Sequence, residues 1–162
     1  MSVWMNADRR RGAAVLIVLL ILPALLAAVA LAVDVGWLLL MRVRLQAACD
    51  LAALAGVGSV DWDQLMMGKI RLSAEEAQDF ARTYMLENLA VIDGLQAESV
   101  QVWVINAEPD EPALHPVTGS EIIYPTVIIN CSVSVAGGWF SALGTVELSA
   151  EADASLRPRR DD

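Results

Sequence analysis

Residues 9–56 read RRRGAAVLIVLLILPALLAAVALAVDVGWLLLMRVRLQAACDLAALAG. Three arginines, Arg9, Arg10 and Arg11, precede Gly12 to Val33, a run of 22 residues without a charge. At 1.5 Å per residue such a run makes a helix about 33 Å long, enough to cross a hydrocarbon core of roughly 30 Å. Pro23 falls inside the run. It removes one backbone hydrogen bond, to the carbonyl of Leu19, which a membrane helix tolerates with a local kink. The arginine cluster is expected on the cytoplasmic side, by the preference of basic flanks for that face. Everything from Asp34 onward is then expected outside, which is the periplasm if the cell is a two-membrane bacterium. Asp34 is expected at the water boundary, and Trp37 at the outer interface, where indole rings collect.

A cleaved secretory signal covering residues 1–32 is the alternative. Ala28-Val29-Ala30 and Ala30-Leu31-Ala32 offer small residues of the kind such sites use. Two observations favour an uncleaved anchor. A signal's apolar segment runs about 7–15 residues, shorter than this one. The helical pattern also continues past the would-be cut.

Beyond Asp34 the chain remains rich in leucine and alanine. Leu45, Ala48, Ala52 and Ala55 recur at spacings of three and four, and Leu51 and Leu54 are expected to widen that stripe. Ala47, Ala48, Ala52, Ala53, Ala55 and Gly56 are small, which lets another backbone come close. Gln46 and Asp50 stand four apart and can hydrogen-bond along a helix. The stripe has two possible destinations, the protein's own sheet or a neighbouring subunit, and the pattern alone does not divide it between them.

Composition limits what the rest can do. The chain has 162 residues, 56% hydrophobic, with a net charge of −9. Residues 45–156 hold only Lys69, Arg71 and Arg82 as basic side chains against 16 carboxylates, so this part repels a phosphate backbone and nucleic acid is not an expected partner. Two cysteines, Cys49 and Cys131, are too few for a metal centre. They are either buried free thiols or, in an oxidising compartment, a possible disulfide.

After Gly56, residues 57–72 read as irregular. Ser73 with Glu76 three residues on forms a capping-box pattern for a helix over Ser73–Leu89. Its expected apolar stripe is Ala77, Phe80, Ala81, Tyr84 and Leu89. Asp93-Gly94 ends that helix. Ser99–Ile105 alternates as a strand, and residues 106–120, with three prolines, read as a long exposed loop. Ile122–Val135 reads as a strand interrupted at Pro125, with Val127, Ile129, Cys131, Val133 and Val135 on one face. Residues 137–144 (GGWFSALG) are expected to form a glycine-bounded apolar turn, and Thr145–Leu156 a further strand. The predicted fold is α+β: a long N-terminal transmembrane helix extended into a pilin-like domain, with a second helix and a roughly three-stranded antiparallel sheet. The expected divisions are 1–11, a cytoplasmic basic terminus; 12–56, the extended helix; 57–156, the periplasmic domain; and 157–162, a disordered tail.

Nothing in this pattern points to catalysis. The single histidine, His115, is expected exposed in the acidic loop, and no nucleophile has an evident base partner. Glu108, Asp110 and Glu111 lack the regular spacing of a calcium loop and read as solvated charge. No cofactor is expected.

The helix region carries a resemblance beyond its hydropathy. Gly12 entering the span, Asp34 at its end, the Leu45-Gln46 pair, Asp50, and Ala53-Leu54-Ala55-Gly56 resemble the N-terminal signature of TadE/TadG-like proteins of tight-adherence (Flp-type) pilus machinery. The resemblance implies a membrane-anchored accessory or minor pilin-like component that acts through helix packing. Its implied partners are the lipid bilayer, pilins or other pilus-assembly proteins, and a homo- or hetero-oligomer formed through the N-terminal helix. Type IV pilins carry a glutamate five residues beyond the cleaved glycine. Counted from Gly12, that position is Ile17, so the resemblance fits the unprocessed branch. The alternative function is a secreted or envelope-bound non-enzymatic binding domain.

Overall fold

The computed structural model describes the backbone of residues 2–135 and 144–158, and side chains from Leu16 onward. The chain opens on one continuous helix, α1, Ser2–Val57. The helix runs through Pro23 and extends N-terminally past the arginine cluster, so residues 2–11 are helical as well. A short helix, α2, Trp62–Met66, breaks the segment expected to be irregular. The carboxylate of Asp61 caps it, accepting from the Gln64 N–H at 3.0 Å.

Helix α3 covers Ala74–Ala90 with Ser73 at its N-cap. The capping box expected there does not form, because the Ser73 side chain makes no cap bond. The backbone fixes the helix start instead. Ser73 N–H donates to Ser59 O at 2.9 Å, and Ser73 O accepts from Ala77 N–H at 2.8 Å. Just before it, the amide of Asn106 clasps Leu72 twice, accepting from its N–H at 2.7 Å and donating to its carbonyl at 2.9 Å.

The main sheet has three antiparallel strands in the order β1-β4-β5: β1 Leu95–Ile105, β4 Thr126–Val135 and β5 Val146–Ser155. β1 begins four residues earlier than its alternation showed, and a bulge between Ala97 and Ser99 shifts its register. Gly94, at φ 87, makes the left-handed turn that feeds it. The long loop is not structureless. It holds a two-stranded ribbon of β2, Ala113–Leu114, and β3, Glu121–Ile122. The strand expected over Ile122–Val135 is thus two pieces separated at Pro125, which cannot donate to a ladder. Architecture and strand count agree with the α+β expectation. Of the expected turn at 137–144, including Trp139 and Phe140, all but Gly144 lies outside the described residues, as do 159–162 of the tail.

The core lies between the C-terminal half of α1, α3 and one face of the sheet. Met41, Leu45, Cys49, Ala52 and Ala53 come from α1, and Ala77, Ala81, Met85 and Leu89 from α3. Val127, Ile129, Cys131, Val133 and Val135 supply the β4 contribution, as their alternation predicts. Burying each of the larger aliphatic side chains contributes roughly 1.5–3 kcal/mol. A smaller cluster, Ala107, Ile122 and Ile128 with Trp103, Ile105 and Ala113 against it, covers the opposite face of the sheet beneath the ribbon. Thr126 is buried too, its hydroxyl donating to Tyr124 O at 2.8 Å.

The α3 stripe differs from expectation. Phe80 and Tyr84 stand about half exposed, while Met85 takes an inward place. The cause is the closeness of α1. A Cβ added at Gly56 would lie 3.0 Å from Ala77 O, Ala81 Cβ and Val127 Cγ1. Backbones this near leave room for the two alanines and none for rings.

Candidate partner-facing surface

Helix α1 has two regimes. From Leu16 to Val33 every large apolar side chain is exposed, all round the helix. Described residues Leu16–Val57 form a helix long and apolar enough to cross a membrane, and its most apolar stretch has no buried residue. Burial begins at Asp34, and Trp37 and Leu38 pack against the domain core. Asp34 is buried and Trp37 packs against the protein's own body. The indole Nε1 of Trp37 is buried and has no partner among the described residues.

The signature residues divide between the two sides of α1. Leu45, Ala53 and Gly56 are buried against α3 and the sheet. Ala55 is half-buried, and Asp50 and Leu54 are exposed. Gln46 uses both amide hydrogens, donating to Asp50 Oδ1 at 3.0 Å and to the Glu151 carbonyl at 2.8 Å. This holds α1 against β5. The Glu151 side chain continues the chain of contacts, with Oε1 3.4 Å from His115 Nε2.

His115 is not the exposed loop residue expected from its acidic, proline-flanked surroundings. It is buried, and its Nδ1 accepts from the N–H groups of Val117 and Thr118 at 3.2 and 3.1 Å. An acceptor Nδ1 places the proton of the neutral ring on Nε2, facing Glu151. The sequence signal for this role is the turn that follows, Thr118-Gly119, with Gly119 at φ 71 and its N–H on His115 O at 2.9 Å. Glu108, read as solvated charge, is paired: Arg71 donates to its Oε1 from Nε and Nη2 at 3.0 and 2.9 Å.

Leu51 and Leu54 do not widen the buried stripe. They are 55% and 60% exposed, on the side of α1 away from the sheet. With Leu40, Val43 and Ala47 they form an exposed seam at spacings of three and four. The same spacing runs back through Gly36, Val33, Val29, Leu26 and Leu22, so one apolar line joins the span to the domain. Ala55 and Gly58, one turn further on, line a groove of about 330 Å³ with Val60, Trp62, Phe80 and Tyr84. Trp62 is 71% exposed there. Glu76 forms part of the wall. Helical spacing assigns Phe80 and Tyr84 to the core, so no sequence pattern marks this groove.

An apolar helix of membrane-spanning length, leading without a break into a small α+β domain, defines a candidate single-pass anchored protein whose surface suits protein contacts. Residues 12–61 match the family model described as "Putative Flp pilus-assembly TadE/G-like". This match covers the signature segment and the first residues after α1, and it supports a role in pilus assembly. No curated protein and no solved structure matches the chain.

Proposed function

We propose that this protein is a membrane-anchored accessory or minor pilin-like component of Flp-type pilus assembly. Residues 12–33 span the inner membrane with Arg9, Arg10 and Arg11 in the cytoplasm. Residues 57–156 form a periplasmic domain. The observation that carries this reading is the exposed seam of α1, which continues from the span through Leu40, Val43, Ala47, Leu51 and Leu54. Lipid covers the first half of the seam. The second half lies above the membrane, where a contiguous apolar line marks an interaction surface.

The occupant proposed is the anchored helix of another pilus-assembly subunit. Only a helix that itself leaves the membrane can follow the seam across the boundary. The groove beside Phe80, Tyr84 and Trp62 extends the contact, and its acidic wall at Glu76 suits a partner with basic flanks. The unbroken helix through Val33 supports the retained anchor over a cleaved signal. Ile17, in place of a glutamate, supports a subunit outside the processed pilins.

The test pairs two readouts. Alkaline extraction of membranes should leave the protein in the pellet. A gene-deletion strain should lose pili and regain them with the wild-type gene but not with a Leu51→Glu/Leu54→Glu version that is present at normal level. Full piliation by the charged variant would contradict the proposed surface.

A further inference from the structure

Cys49 on α1 and Cys131 on β4 belong to the same buried cluster, each with no exposed surface. The Cys49 thiol lies against the carbonyl of Ala150, Sγ to O 3.9 Å. Ala150 is the residue directly opposite Cys131 in the β4–β5 ladder. Cys49 thus packs against the β5 residue that pairs with Cys131, and both thiols lie in one cluster. The same core cluster takes Ala48, Ala52 and Ala53 from the helix and Ala150 and Ala152 from the sheet. They let the helix approach closely, and bridging two cysteines requires Cα atoms within about 6.8 Å. Both are unbonded thiols in the structure.

We propose that Cys49 and Cys131 are a disulfide site that staples the anchor helix to the sheet. The inference rests on the reading that the domain lies outside the cytoplasm, where disulfides form and persist. The co-reactant is an oxidised disulfide carrier of that compartment. A thiolate from one cysteine attacks the carrier's disulfide and forms a mixed disulfide, releasing the first carrier thiol. The second cysteine then displaces the other carrier sulfur. One S–S bond forms in the protein and one breaks in the carrier, which leaves as two thiols carrying the two hydrogens.

The site also fixes when the bond forms. Burial pushes the Cys49 thiol up to about 12, with the nearby Cys131 and then Asp50 adding to it, and burial pushes Cys131 up to about 11. A docked pair is thus almost wholly protonated at neutral pH, and the thiolate is the reacting species. Oxidation belongs to the folding step, before α1 closes onto the sheet. The finished bond ties the C-terminal half of α1 to β4, so a pull on the sheet reaches the anchor without prying the helix from it.

The experiment uses full-length protein in membranes from cells quenched in acid. The protein is denatured, alkylated with iodoacetamide and weighed, with and without prior reduction. The expected result is no adduct before reduction, two after it, and an unreduced mass about 2 Da below the dithiol. Cys49→Ala and Cys131→Ala should each leave one thiol that alkylates without reduction. Reductant should lower the unfolding midpoint of the wild type by roughly 10 °C and leave the Cys49→Ala/Cys131→Ala variant unmoved. Protease access to the domain is measured in the same cells with the outer membrane opened. Two adducts without reduction on an accessible domain would overturn the staple and leave the proposed function standing. Two adducts on a protected domain would overturn both.

Discussion

The two halves of α1 are both rich in leucine and alanine and have opposite surroundings. Residues 16–33 are apolar on every side, and every large apolar side chain there is exposed. Residues 41–56 are still mostly apolar, though Arg42, Arg44 and Asp50 reach solvent, and one side is covered completely. Met41, Leu45, Cys49, Ala52 and Ala53 have no exposed surface, while Leu51 and Leu54, next to Ala52 and Ala53 in the chain, are mostly open. The difference shows that apolarity alone does not say what a helix face meets. Size does better. The covered face is rich in alanine and ends at Gly56, because a sheet and a second helix must come close to it. The open face carries leucine and valine, which suit lipid lower down and another helix higher up.

The largest effect should follow a charge in the first half. On the proposed span, Leu22→Arg would put a cation near the bilayer centre, a cost of about 2.5–3.5 kcal/mol on insertion scales. It should move the protein out of the alkaline-resistant pellet or remove it from the cell. Retention at wild-type level would mean that the first half is not a span.

In the second half, substitutions on the two faces should separate. Leu45→Ala opens a cavity in the core and should cost about 2–5 kcal/mol in chemical denaturation. Gly56→Val drives a side chain into contacts at 3.0 Å and should cost about 1–3 kcal/mol. Leu54→Ala, on the open face, should stay within about 0.5 kcal/mol of wild type while weakening partner recovery from membranes. Equal losses for Leu45→Ala and Leu54→Ala would erase the distinction between the faces.

Much of this was legible in the sequence. The long helix, the break at Pro125, the inward face of β4 and the α+β architecture all follow from hydrophobic period and the positions of proline and glycine. What stayed hidden depends on contacts between distant segments. Phe80 and Tyr84 have helical spacing for a core stripe, and only the closeness of Gly56 to Ala77 and Ala81 turns them outward. His115 is buried by a ribbon of two-residue strands, too short to show alternation. Ser73 looks like a capping serine, but pairing with Ser59 fixes the helix start. Leu51 and Leu54 lie on a helix too uniformly apolar for periodicity to separate its faces.

The most direct test of the central claim is a cysteine scan along α1 in the full-length protein, in native membranes with an oxidant. The two native cysteines are fully buried, which keeps them out of contacts between subunits. Single cysteines at Leu40, Val43, Ala47, Leu51 and Leu54 should cross-link to a second subunit, with the repeat of one helix face. Cysteines at Met41, Leu45, Ala48 and Ala52 should not. Cross-linking that ignores the helical repeat, or that occurs at the buried positions and spares the exposed ones, would contradict the assignment of this face to a partner helix.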